Sequence, residues 1–213
     1  MNTKKALFYV LAGLLGGCVP VVSIHPLFTK DNVVLDDKIV GTWVDDANEP
    51  DMIWQFSKAQ EPNGAYKLIL RNKEGAKGSF LVHLVKLESQ RFLDVYPDEF
   101  PCDMNDPNKT DWHFNAFFLV PAHTFIRLDS VGPELKMRLT QDEKLEKLLT
   151  AEPNTIAHAK VDGRIVLTAS TKELQAFVLK YAADERLFPD ETVLHRSQAG
   201  AKPRPGDPNS PKQ

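Results

Sequence analysis

The chain reads as a mainly β protein: an antiparallel up-and-down β-barrel or a β-sandwich with two helices, the longer one C-terminal. Three observations lead there. Short aliphatic and aromatic runs recur through the middle of the chain, separated by turn material such as Glu61-Pro62-Asn63-Gly64 and Lys73-Glu74-Gly75-Ala76-Lys77-Gly78. Two runs alternate with period two: Met52, Trp54 and Phe56 oppose Ile53, Gln55 and Ser57, and Leu68 and Leu70 oppose Lys67, Ile69 and Arg71. One face then meets a core and the other meets water. Beyond Thr140 the apolar spacing changes to three and four residues, the period of a helix.

In order along the chain, residues 1–17 form a signal peptide. Lys4 and Lys5 precede an apolar run over 6–15, and Leu15-Gly16-Gly17-Cys18 follows. A basic head, about ten apolar residues and small residues before a cut mark secretion, and the run is too short to span a bilayer. Leu-Gly-Gly-Cys resembles the bacterial lipobox. The resemblance implies a lipoprotein precursor whose Cys18 becomes the lipidated first residue, with two or three acyl chains such as palmitate. Each buried methylene is worth about 0.8 kcal/mol, so one chain binds marginally and two or three hold firmly. The implied location is the cell envelope, on a bacterial membrane. Val19, where an aspartate would retain the protein, implies the outer membrane facing the periplasm in a Gram-negative cell. Residues 18–37 read as the lipidated cysteine and a stalk, with Leu27 and Phe28 the residues that would dock it. The domain is expected over 38–197, and 198–213, with four prolines and two glycines, as a disordered tail.

Composition narrows the partners. Loss of residues 1–17 removes Lys4 and Lys5 and no acid, leaving 24 basic against 29 acidic residues and moving the formal charge from −3 to −5. A mildly acidic surface argues against nucleic acid, which needs clustered Lys and Arg. With Cys18 lipidated, Cys102 is the only thiol left, and no intramolecular disulfide can form.

Strands are expected over 39–44, 52–57, 66–71, 79–87, 92–96, 117–120, 124–129 and 135–140. Thr140 and Glu143 form a capping-box pattern before Leu145, Leu148 and Leu149. A hairpin over 156–161 and 164–169 turns at Asp162-Gly163, a dipeptide that tolerates positive φ. Ser170 and Glu173 cap the last helix, in which Leu174, Phe177, Val178 and Tyr181 share a face. A sheet this long closes or folds over to remove its edges. Gly41-Thr42-Trp43, at the start of the first strand, resembles the Gly-x-Trp signature of lipocalins and the wider calycin group. That resemblance implies an up-and-down barrel whose tryptophan closes the bottom. The other lipocalin motifs are absent, and the helix after Thr140 interrupts the strand series.

If the barrel is hollow, Trp43, Trp54, Phe56, Leu68, Leu70, Leu81 and His83 are its candidate ligand-binding lining; the same residues would serve equally as solid core. The acidic stretch 98–111 reads as a surface loop. Its Asp103 and Asn105 fit two calcium-loop positions, but Pro107, Asn108 and Phe114 fall where a ligand, a glycine and a glutamate are needed. Cys102 and His113 remain a nucleophile pair only in principle. No motif supports an enzyme, a metal site or a cofactor. The expected function is a membrane-anchored envelope lipoprotein, a non-enzymatic binding module for a lipid or another small apolar or amphipathic ligand. The alternative is a filled-core structural or interaction lipoprotein with an envelope protein partner. A large dry cavity would separate the two.

Overall fold

The computed structural model describes residues 20–98 and 119–197. Cys18, Cys102, His113, the signal peptide and the tail 198–213 lie outside them, as does all of the expected acidic loop except Asp98. The strands are β1 (Val22–Ser23), β2 (Val33–Val34), β3 (Gly41–Val44), β4 (Met52–Lys58), β5 (Ala65–Asn72), β6 (Lys77–Leu87), β7 (Gln90–Pro97), β8 (Thr124–Val131), β9 (Glu134–Leu139), β10 (His158–Val161), β11 (Arg164–Leu167) and β12 (Glu191–Arg196). The helices are α1 (Asp142–Ala151) and α2 (Thr171–Lys180).

Strands β3 to β9 form an antiparallel meander. β12 pairs antiparallel with both β9 and β3, giving a closed eight-stranded barrel. Closure removes the exposed edges an open sheet would carry. The closing strand was not expected from the sequence. It follows Pro189 and Asp190 and turns Leu194 inward, opposite Leu135. Of the expected strand at 117–120, Leu119 and Val120 carry no strand, and Phe117 and Phe118 lie outside the described residues.

Period-two side chains fill the interior ring by ring. Trp43 faces Trp54, which faces Leu70; Phe56 faces Leu68, which faces Phe80; Tyr66 faces Val82, which faces Val95. Leu84, Leu93, Ile126, Leu128, Met137, Leu135 and Leu194 complete the cluster. A second core lies outside the wall, where Val85, Leu87, Phe92 and Phe125 meet apolar residues of α1, α2, β11 and the segment before β3.

That segment corrects the expected stalk. Residues 20–38 are laid along the barrel: β1 runs parallel to β11, β2 pairs with β6, and Leu27 is fully buried. The 3-10 turn Asp37–Ile39 then closes one end of the barrel, with Ile39 in the interior cluster. Trp43 Nε1 donates to Ile39 O at 2.8 Å. The Arg196 guanidinium lies 4.3 Å over the Trp43 ring and donates to the carbonyls of Val40 and Lys38 at 3.1 and 2.7 Å. Gly41, at φ +139°, leaves room for Arg196 Nη1 where a Cβ would sit.

The helices are equal, ten residues each, so the C-terminal one is not the longer. Ser170 and Glu173 form the expected capping box. Thr140 does not cap α1: its hydroxyl donates to Phe125 O at 3.3 Å, and Gln141 takes the N-cap position without a side-chain bond. The helix starts one residue later than the pattern predicts, so Thr140 lies before the N-cap rather than in it. The Asp162-Gly163 turn forms as expected, with φ of 48° and 83°.

Candidate functional site

Among the described residues two places qualify, the barrel interior and a buried polar cluster on its outer wall. Trp43, Trp54, Phe56, Leu68 and Leu70 point inward as expected. Leu81 and His83 do not, and this is a correction. On β6 the inward set is Phe80, Val82 and Leu84, while His83 shares the outer face with Val85 and Leu87. Strand alternation allows only one of the two sets inside. The outer set is also apolar because the second core covers it, which is what made the face ambiguous in sequence.

The interior leaves little room. Phe56 is 2% exposed, and Trp43, Tyr66, Leu68, Leu93, Leu135 and Met137 keep no surface on which a water could rest. Among the described residues a cavity of about 30 Å³ lies toward the end opposite Ile39, lined among others by Pro20, Trp54, Leu70, Phe80, Ile126 and Leu139. That is space for about two waters, far from the roughly 300 Å³ and more of a small-molecule site.

The outer cluster is built by β6, β7 and the chain before β8. Asp94, 0% exposed, sits on β7 opposite His83 on β6. Its Oδ2 accepts the Leu27 amide at 2.5 Å, and its Oδ1 lies 2.6 Å from Nδ1 of His123. A carboxylate oxygen accepts, so the His123 nitrogen that faces it is the donor. The His123 ring packs 4.6 Å from that of Tyr96. His83, 8% exposed, stacks on Phe28 at 3.8 Å, and its Nδ1 is buried without a hydrogen-bond partner among the described residues. Burial, the largest influence, holds the His83 imidazole below its ordinary pKa; nearby Asp94 opposes this and His123 adds to it.

No protein-family model, curated protein or solved structure matches this chain.

An Asp–His pair is the orienting half of a general-base system, and it needs a nucleophile and an open approach. Among the described residues His123 is 9% exposed, and the adjacent hydroxyl, Ser23 Oγ, donates to His25 O at 2.9 Å. The pair ties the N-terminal segment down, together with the reciprocal backbone bonds between Ser23 and His123 at 2.9 and 2.8 Å. Among the described residues no group of three or more His, Cys, Asp or Glu side chains is placed to hold a metal, and no helix is long and apolar enough to cross a membrane. Asp98, the described edge of the acidic stretch, accepts from Ser79 Oγ and pairs with Lys67, both at 2.9 Å; these contacts, Lys67 foremost, hold its carboxyl below the ordinary range. Sequence reasoning missed Asp94. Its one signal was a carboxylate sharing a strand face with Phe92 and Tyr96, and that face is equally compatible with solvent until the N-terminal segment is seen to cover it.

Proposed function

We propose that the chain is a lipid-anchored protein of a bacterial cell envelope, held by acyl chains on Cys18, whose barrel is a filled scaffold presenting its surface and loops to an envelope protein partner. The observation that carries this reading is the occupied interior: among the described residues, side chains from all eight strands pack on one another, and the cavity beside them measures about 30 Å³. A carrier of lipid would need a cavity an order of magnitude larger. The lipobox-like Leu15-Gly16-Gly17-Cys18 supports the anchor, and Val19 the outer-membrane, periplasm-facing placement.

A second reading, a binder of a small apolar ligand at the barrel mouth, is favoured by one feature. The cavity wall there is almost wholly apolar, with Trp54, Leu68, Leu70 and Val95 beside Phe80 and Leu139.

Native mass spectrometry with lipid extraction, on the mature protein purified from its own host, separates the two. A mass increment on Cys18 alone, with no uptake of a fluorescent fatty acid, supports the filled scaffold. A reproducible second lipid mass that the probe displaces refutes it in favour of the binder. An unmodified Cys18 refutes the anchor.

A further inference from the structure

The docked segment places the anchor. Pro20 is buried, and its carbonyl accepts from Arg164 Nη2 at 3.4 Å. Val22 and Ser23 run parallel to Val166 and Leu167, so Pro20 lies beside Arg164, the first residue of β11. One residue, Val19, separates Pro20 from Cys18. Two residues of extended chain span at most about 7 Å. With Cys18 lipidated, that distance is the whole free tether, because the following residues belong to the fold rather than to a stalk. The domain must therefore touch the bilayer beside Pro20, and among the described residues the tip of the β10–β11 hairpin adjoins Pro20 through Arg164.

We propose that this tip lies in the bilayer interface, with Val161 in contact with lipid. Val161 is a large hydrophobic residue left 55% exposed, on a strand whose four residues are all exposed. It is registered opposite Arg164 and so shares a face with the side chain that holds Pro20. Lys160 precedes it in the chain. An exposed aliphatic residue beside the tether enters the acyl boundary; Arg164 is held by the Pro20 carbonyl and Lys160 by Glu146, so the apolar contact rather than a cation–phosphate pair carries the interaction. Two acids lie near. Glu146 of α1 bonds Lys160 Nζ, and Asp162 occupies the turn itself. The net charge of the mature chain is negative, so the short tether rather than electrostatic attraction sets the orientation.

This inference rests on the lipoprotein reading, and the test keeps the two apart. Full-length protein carrying Cys102→Ser is processed in a bacterial host, with Val161→Cys in one sample and Ser89→Cys, in the exposed turn between β6 and β7 at the other end of the barrel, in a second. Each is labelled with an NBD fluorophore and placed in phosphatidylcholine–phosphatidylglycerol vesicles containing headgroup-region nitroxide lipid. The mass of the Cys18 peptide is read on the same samples. With Cys18 lipidated, the label at 161 emits to the blue of the label at 89 and is quenched several-fold more. Equal emission and quenching at the two sites overturns the orientation while leaving the anchor intact. An unmodified Cys18 overturns both.

Discussion

Asp94→Ala is the substitution that tests how the N-terminal segment is held. It removes the acceptor for the Leu27 amide and the partner of His123 Nδ1, both buried on the outer wall. Leaving a buried donor unsatisfied costs about 1–3 kcal/mol, and two are left here, so a loss of roughly 2–6 kcal/mol is expected. With a urea dependence of about 1–3 kcal/mol/M, the unfolding midpoint falls by about 1 M or more. Asp94→Asn keeps one carbonyl acceptor for Leu27 and should cost less. The decisive assay is amide hydrogen exchange. Protection at Leu27 and at Val33–Val34 should fall further than protection in β4 and β5, because the segment peels from an otherwise intact barrel. The reasoning is refuted if Asp94→Ala costs under about 1 kcal/mol, or if all strands lose protection equally.

Three further outcomes follow from the same structure. Gly41→Ala places a Cβ at positive φ and against Arg196 Nη1. It should cost about 1–3 kcal/mol, read as a thermal midpoint lowered by about 2–4 °C per kcal/mol, and Arg196→Ala in the same background should add little. Phe56→Ala opens a void in an interior with little slack and should cost about 3–5 kcal/mol; a loss near 1 kcal/mol by chemical denaturation would show a barrel loose enough to hold a ligand. For pH, burial holds the folded His83 imidazole below its ordinary 6.5, so the unfolded chain takes up that proton first. The contribution of His83 is complete above about pH 6.5 and is lost as pH falls below it. His83→Gln should flatten the urea midpoint between pH 7 and 5 relative to the parent.

Much of the barrel was legible because its information is local. Period two in β4 and β5 assigned Trp54, Phe56, Leu68 and Leu70 to the inside, Asp162-Gly163 marked the hairpin, and Ser170 with Glu173 marked the start of α2. A turn dipeptide and a capping pair act over two to four residues, so no knowledge of the rest of the chain is required. What tertiary structure alone decided lies where two surfaces compete for one strand. β6 is covered on both faces, so the stretch from Phe80 to Val85 shows no polar alternation. Only the position of the second core says that Leu81 and His83 face outward. The docked segment depends on Asp94, β6 and β11, partners 50 or more residues away, and its own sequence, with two prolines and no period, reads as a stalk. β12 has only six residues of modest β character. Its place between β9 and β3 comes from the need to satisfy two sheet edges at once, a demand that exists only after the rest of the barrel has formed.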